Sequence, residues 1–334
     1  MSQRMNPVAR VCSPSTEADS SQLTRRRMLG VAAAAAVTLA TSRSFPALFA
    51  AEPAPAPATA PSKNKRFKVA GDDLFLDNRR QNLQAFERAQ KAGLDGVSVD
   101  MGRMPGGKEL INNLSKPEVR EQFLAESRKT GVEIACLAWF AFYAPRPYFD
   151  LPIFPQLLND WVETLAAMNV KVGFMPLVAA DTTLKDDGNF KKAVDHFKKI
   201  APAAEKAGVV LGVESTVNAE RYKQFLDAVG SPAVQAFYNP GVGLEHKLDV
   251  YADIKSLGKE RVCALHLEQG SVPPEDFERR LGDGLIDFKK LREVLLEIDW
   301  GGWMTIARSR LKGTTSGHTN MTANAKFLHE MFPE

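Results

Sequence analysis

The sequence predicts an α/β protein, a single (β/α)₈ barrel over residues 66–334. Three observations predict it. Short β-branched runs ending in polar residues alternate eight times with longer segments of helical periodicity. Three of the helical segments share one ending, a lysine in the last turn and a glycine just past it: Lys91-Ala92-Gly93, Lys129-Thr130-Gly131 and Lys206-Ala207-Gly208. No glycine-rich phosphate loop follows the first strand, which argues against a dinucleotide-binding open sheet. Alternating strands and helices imply a parallel sheet. Eight units suit closure into a barrel, and single barrels of about 250 residues are ordinary. An open doubly wound sheet is the alternative.

The chain opens with a leader over residues 1–50. Thr24-Arg25-Arg26-Arg27-Met28-Leu29-Gly30 precedes a weakly apolar, alanine-rich run, Val31–Ala40, too short to span a bilayer stably. Paired arginines before such a run match a twin-arginine signal. Small residues at Ala47, Ala50 and Ala51 offer cleavage near Ala50. An uncleaved anchor is the alternative, but no second apolar segment follows. The expectation is export to the periplasm or beyond by the twin-arginine translocation machinery, with no membrane span in the mature form. Such export carries folded proteins, so a cofactor loaded beforehand is plausible. Residues 51–65 are Pro/Ala-rich and predict an extended tether.

The predicted strands are Phe67–Ala70, Gly96–Asp100, Val132–Trp139, Val170–Pro176, Val209–Glu214, Val234–Asn239, Val262–Leu267 and Trp303–Ala307. The helices between them cover Asn78–Ala92, Lys116–Thr130, Pro155–Met168, Asn189–Ala207, Ala219–Val229, Asp249–Leu257 and Asp287–Glu297, with a last one near Thr322–Met331.

The net charge of +3 is a leader effect. Residues 1–50 hold six arginines against Glu17 and Asp19, leaving 37 basic and 38 acidic residues in the remainder. No basic run follows Arg66, so no nucleic-acid partner is expected. Outside the leader stand Cys136 and Cys263, each inside an apolar run. They read as two buried thiols or, in an exported protein, as a disulfide.

Barrel chemistry sits at the C-terminal ends of the strands. Those ends place Asp100, Trp139, Met175, Glu214, Asn239, His266 and Ala307 for inspection. Glu214 closes Val209–Val213 and reads as a base or a hard-metal ligand, or as a Glu paired with a neighbouring cation. His266 closes Val262–Leu265. Glu268 shares its face if the strand continues. Trp139 leads an aromatic cluster with Phe140, Phe142, Tyr143 and Tyr148 that stacks on a sugar ring or packs over the barrel. His246 follows the sixth strand at the functional end. Arg308 and Arg310 flank Ser309 and bind an anionic or polyhydroxylated ligand, or are solvated. His196 reads as a solvated residue in mid-helix, and His329 as packing or surface.

Several segments carry a family resemblance: Gly208–Asn218 (GVVLGVESTVN), Phe237–Gly241 (FYNPG), Leu265–Gly270 (LHLEQG), Leu281–Phe288 (LGDGLIDF) and Gly301–Ser309 (GGWMTIARS). In order and spacing they resemble the sugar phosphate isomerase/epimerase superfamily of xylose isomerase-like TIM barrels, over nearly the whole mature chain. The resemblance implies one divalent cation (Mn, Mg, Zn or Co) held by Glu, Asp, His and Glu on successive strands. The two Glu also move a proton to and from the carbon beside a sugar carbonyl. Position by position, the first Glu matches Glu214 and the His matches His266. Asn239 stands at the Asp position and Ala307 at the last Glu position. The His-x-Lys-Asp signature reads His266-Leu267-Glu268-Gln269. Loss of two carboxylates weakens a hard-cation site, and loss of a general acid or base typically costs about 10²–10⁴-fold in rate. Glu268 is a candidate substitute ligand.

Two functions follow from the resemblance. One is an exported isomerase, epimerase or lyase-type enzyme acting on a small sugar, with Glu214 as base and His266 and Asn239 polarising the carbonyl. The other is a non-catalytic carbohydrate-binding barrel. An apurinic endonuclease of the same broad group, with its His-rich zinc site, fits poorly with five histidines in the chain.

Overall fold

The computed structural model describes residues 65–77, 81–269, 280–307 and 318–333. The leader, the tether through residue 64 and Arg308 lie outside the described residues. Eight strands close into a barrel: β1 Phe67–Asp72, β2 Gly96–Asp100, β3 Glu133–Ala138, β4 Val172–Pro176, β5 Val210–Glu214, β6 Val234–Tyr238, β7 Val262–Leu267 and β8 Gly302–Ile306. All eight neighbouring pairs are parallel, and each strand lies beside its sequence neighbours. β8 closes the barrel on β1 with Phe67 opposite Gly302 and Gly71 opposite Ile306.

The helices are α1 Asp73–Asp77, α2 Gln84–Ala92, α3 Pro117–Thr130, α4 Phe154–Ala167, α5 Asp187–Ala207, α6 Ala219–Val229, α7 Pro240–Glu245, α8 Val250–Leu257, α9 Phe288–Glu297 and α10 His318–Met331. The three glycine endings read from the sequence are left-handed caps, with φ of 77° at Gly93, 73° at Gly131 and 64° at Gly208. At the other ends, Asp186, Asn218, Asp249 and Asp287 accept from first-turn backbone N–H groups.

The barrel wall divides its side chains between two apolar clusters. The larger packs the strands against the helices. The smaller joins Cys136, Ala138, Phe140, Phe174, Phe237 and Ala264, with Trp303 packed against it. Gly212 on β5 permits this packing. A Cβ there would lie 2.7 Å from the Gly173 carbonyl and 2.9 Å from the Phe237 ring. Lys68 on β1 lies over the Trp303 ring at 5.1 Å and pairs with Glu133 at 2.8 Å.

Four elements differ from the sequence reading. β1 runs on two residues past the expected end at Ala70, to Asp72. The single helix expected over Asn78–Ala92 starts at Gln84, and a short one, Asp73–Asp77, precedes it. Between them Gln81 takes a positive φ of 55° and donates its backbone N–H to Asp73 at 2.7 Å. A helix follows β6 directly because Asn239 caps it and Pro240 occupies its first turn. A two-stranded ribbon, Gly102–Arg103 with Ile111–Asn112, follows β2. His196 is half-buried rather than fully solvated: its Nε2 lies 2.9 Å from the Phe149 carbonyl and its ring meets Phe154 edge-on at 4.7 Å. Cys136 and Cys263 are free, and burial pushes both thiols up, Cys263 to about 12. Among the described residues no helix is long and apolar enough to cross a membrane.

Candidate functional site

Four strand ends bring the chemistry together. Asp72 ends β1, Glu214 ends β5, and His266 lies on β7 one residue before its end. Asn239 follows β6 and Glu268 follows β7. All five are buried. A polar cluster this deep holds only if its members satisfy one another.

They do so around the imidazole of His266. Its Nδ1 lies 2.6 Å from Glu214 Oε2 and its Nε2 lies 3.2 Å from Asp72 Oδ2. Its ring rests against Phe174 at 4.9 Å and meets Phe237 edge-on at 6.0 Å. Burial opposes a charge on this ring, but the Glu214 and Asp72 carboxylates outweigh it and push the imidazole up to about 10. The site at neutral pH is therefore an imidazolium clamped between two carboxylates.

Tyr143 closes the cluster from above. Its hydroxyl donates to Glu214 Oε1 at 3.2 Å and lies 3.4 Å from His266 Nδ1. The residue as a whole is 41% exposed at the rim, while the hydroxyl reaches inward to Glu214. Burial of that hydroxyl, then the acids Glu214, Glu268 and Asp72, hold the phenol well above its usual range. It is a neutral donor at any working pH. Phe140 and Tyr143 bound a 3-10 turn, where residues three apart eclipse, and their rings stack at 6.5 Å and 9°.

Asn239 is oriented by its capping role. The N–H of Val242 needs an acceptor and finds Asn239 Oδ1 at 3.0 Å. The amide nitrogen therefore faces the acids, donating to Glu268 Oε1 at 3.1 Å and Glu214 Oε2 at 3.5 Å. Gly241 permits the close approach of this turn, because a Cβ there would lie 1.9 Å from the Glu268 carbonyl.

A cavity of about 280 Å³ opens on the cluster, lined by Asp72, Leu74, Phe75, Phe140, Tyr143, His266, Glu268 and Ala307. That is near the lower end of the range for small-molecule sites. One wall is acidic, the other aromatic, as a polyhydroxylated ring with polar edges and apolar faces requires.

The donor set does not fit the divalent cation that the resemblance implies. Asn239 turns an amide nitrogen to the cluster, and its oxygen is spent on Val242. Ala307 offers a methyl group. Both ring nitrogens of His266 are engaged by carboxylates. Among the described residues no group of three or more His, Cys, Asp or Glu is arranged to hold a metal ion.

Of the residues singled out from sequence, Glu214, Asn239, His266 and Glu268 converge here. Trp139 does not reach the cavity: it is fully buried in the packing around the barrel. His246 is exposed at the end of α7 and does not line the cavity either. Arg308 lies outside the described residues. Sequence reasoning missed Asp72, Leu74 and Phe75. No local signal marked Asp72: the first apolar run ends at Ala70, and Gly71-Asp72-Asp73 has the composition of a turn.

The family described as xylose isomerase-like TIM barrel matches residues 86–331. No curated protein matches the chain's sequence. Among solved structures, a D-allulose 3-epimerase from Methylomonas sp. superposes with a TM-score of 0.62 at 14% identity, over 80% of this chain and 99% of that one. A 3-keto-D-glucoside 4-epimerase from E. coli gives a TM-score of 0.59 at 15% identity, over 79% and 98%. A fusion of a xylose isomerase-like TIM barrel with a 4-hydroxyphenylpyruvate dioxygenase gives 0.60 at 15% identity, and the chain spans only 43% of its length. At these identities the likeness is one of fold.

Proposed function

Because the chain belongs to the xylose isomerase-like TIM barrel family, we propose that its barrel mouth binds an unphosphorylated sugar or sugar derivative and removes a proton from the carbon beside the carbonyl. The observation that carries this reading is Glu214, a carboxylate 1% exposed at the end of β5 and held by His266 and Tyr143, two residues that line the cavity. A buried carboxylate with fixed partners is preorganised as a base.

Glu214 takes the proton, and the C–H electron pair becomes the C=C bond of an enediolate. The oxyanion that develops accepts hydrogen bonds from Tyr143 and Asn239 and faces the His266 imidazolium. Aromatic faces of Phe75, Phe140 and Tyr143 suit the apolar side of a sugar ring. Asp72 and Glu268 line the same cavity, and His266 is the one cation among its lining residues. A phosphate group would meet two carboxylates there, so a neutral sugar is favoured. The reaction class is isomerisation, epimerisation or a related lyase step. The paired arginines of the leader support export, with the barrel folding before twin-arginine translocation.

Ala307 favours a second reading, a carbohydrate-binding barrel that keeps the pocket without the chemistry. Incubating the full-length protein with unphosphorylated ketoses and 3-keto-glycosides, and separating the products by chromatography, decides between them. Interconversion by the wild type that falls by about 10²–10⁴-fold in Glu214→Gln supports catalysis. Binding of the same sugars without any interconversion supports the second reading and overturns the first.

A further inference from the structure

We propose that Asp72 is the second acid/base group of this site, a carboxylate moved by one strand from position 307 to the neighbouring position on β1. The proposal rests on the reading of Glu214 as the base. Three independent observations lead to it. First, β1 and β8 pair with Gly71 opposite Ile306, so the next residues along, Asp72 and Ala307, stand side by side. Second, Asp72 and Ala307 line the same cavity. A side chain at either position reaches the same space. Third, Asp72 Oδ2 lies 3.2 Å from His266 Nε2, while Glu214 holds the opposite nitrogen of that ring at 2.6 Å.

The topology also sets the direction of approach. β1 and β5 are four strands apart whichever way the barrel is counted, so they face each other across its axis. Carboxylates at the ends of these two strands reach a molecule in the mouth from opposite sides. That is what inversion at a carbon requires: one group removes the proton from one face and the other returns a proton to the opposite face.

The step balances with solvent water as the only proton exchanger. Glu214, ionised, takes the proton from carbon, and the C–H pair forms the enediolate. Asp72 takes the Nε2 proton of the His266 imidazolium, 3.2 Å away, and delivers it to the other face of the same carbon, and the carbonyl re-forms. Glu214 is left protonated, His266 neutral with its proton on Nδ1, and Asp72 ionised. Glu214 then releases its proton to water, His266 Nε2 takes one from water, and the starting state returns. In the reverse direction the two carboxylates exchange roles.

The test uses D-fructose and D-allulose, an epimer pair at C3, together with the ketoses and 3-keto-glycosides of the screen. Full-length wild type, Asp72→Asn, Glu214→Gln and the double variant Asp72→Asn/Ala307→Glu are compared in D₂O by NMR. Asp72→Asn is expected to lose epimer interconversion by at least about 10²-fold. It should still exchange the proton of one epimer, the one Glu214 attacks. Glu214→Gln should exchange only the opposite epimer. Ala307→Glu in the Asp72→Asn background should restore interconversion, since it returns a carboxylate to the adjacent register position. Asp72→Asn with the wild-type interconversion rate overturns the proposal and leaves the reading of Glu214 intact. Loss of exchange from both epimers in folded Asp72→Asn, with no rescue by Ala307→Glu, makes Asp72 a positioning residue and also overturns it. Wild type that exchanges neither epimer of any pair overturns the function proposed for Glu214, and this inference with it.

Discussion

Asp73 ties the stability of the barrel to pH. The residue is 1% exposed, and its Oδ2 accepts the backbone N–H groups of Gln81 at 2.7 Å and Asp100 at 3.1 Å. Its Oδ1 has no partner. Burial, then the charge of Asp100, lift its carboxyl from 3.8 to about 8, against the pull of the two N–H groups. The folded state thus keeps a proton that the unfolded chain has released. With a raised folded value, the stabilising contribution is complete below about 4 and is lost as the pH rises to about 8. The loss runs at about 1.4 kcal/mol per pH unit. Over this window it sums to an upper limit of about 6 kcal/mol, which relaxation and water entry reduce. Asp73→Asn keeps an acceptor for both N–H groups and removes the titration. Urea unfolding of wild type and Asp73→Asn at pH steps across the window measures the difference in stability. The variant should match the wild type near the acid end to within about 1 kcal/mol. It should gain on the wild type steadily with pH and hold a constant advantage above about pH 8. A difference that does not change with pH, or one that shrinks as pH rises, refutes the reasoning.

Three other perturbations have defined outcomes. Tyr143→Phe removes the neutral donor over Glu214, and kcat on the sugar substrate should fall by about 10²-fold or more with KM little changed. Gly241→Ala forces a Cβ to within 1.9 Å of the Glu268 carbonyl; urea unfolding should show a loss of at least about 1–3 kcal/mol, and a neutral result contradicts the packing of this turn. Replacing Arg25 and Arg26 together by Lys should leave a reporter fused to the leader inside the cell, and fractionation that finds it exported as before contradicts the twin-arginine reading.

The barrel was legible because its signals are local. Strand runs, helical periods and the Lys-x-Gly endings each occupy a few consecutive residues. Glu214, His266 and Glu268 were legible for the same reason, since each closes or follows an apolar run. Asp72 was not. Gly71-Asp72-Asp73 has the composition of a turn, and its partnership with position 307 exists only once the first strand pairs with the last. The aromatic segment shows a finer limit. Trp139, Phe140 and Tyr143 are equivalent by composition, and only the phase of the 3-10 turn sends Trp139 into the core and the other two to the cavity. The orientation of Asn239 likewise depends on a helix start that the sequence Asn-Pro-Gly disguised as a loop.

The account holds that this site is a carboxylate–imidazole–carboxylate system rather than a cation cage, and the metal content of the protein tests that most directly. Full-length wild type and Ala307→Glu, exposed to Mn²⁺ and freed of excess by gel filtration, are compared by elemental analysis. The account predicts that the wild type retains far less than one equivalent. It also predicts a clear rise in Ala307→Glu, where a third carboxylate joins Asp72 and Glu268 at the cavity. One equivalent of Mn²⁺ held firmly by the wild type would contradict it and return Glu214 and His266 to the role of metal ligands.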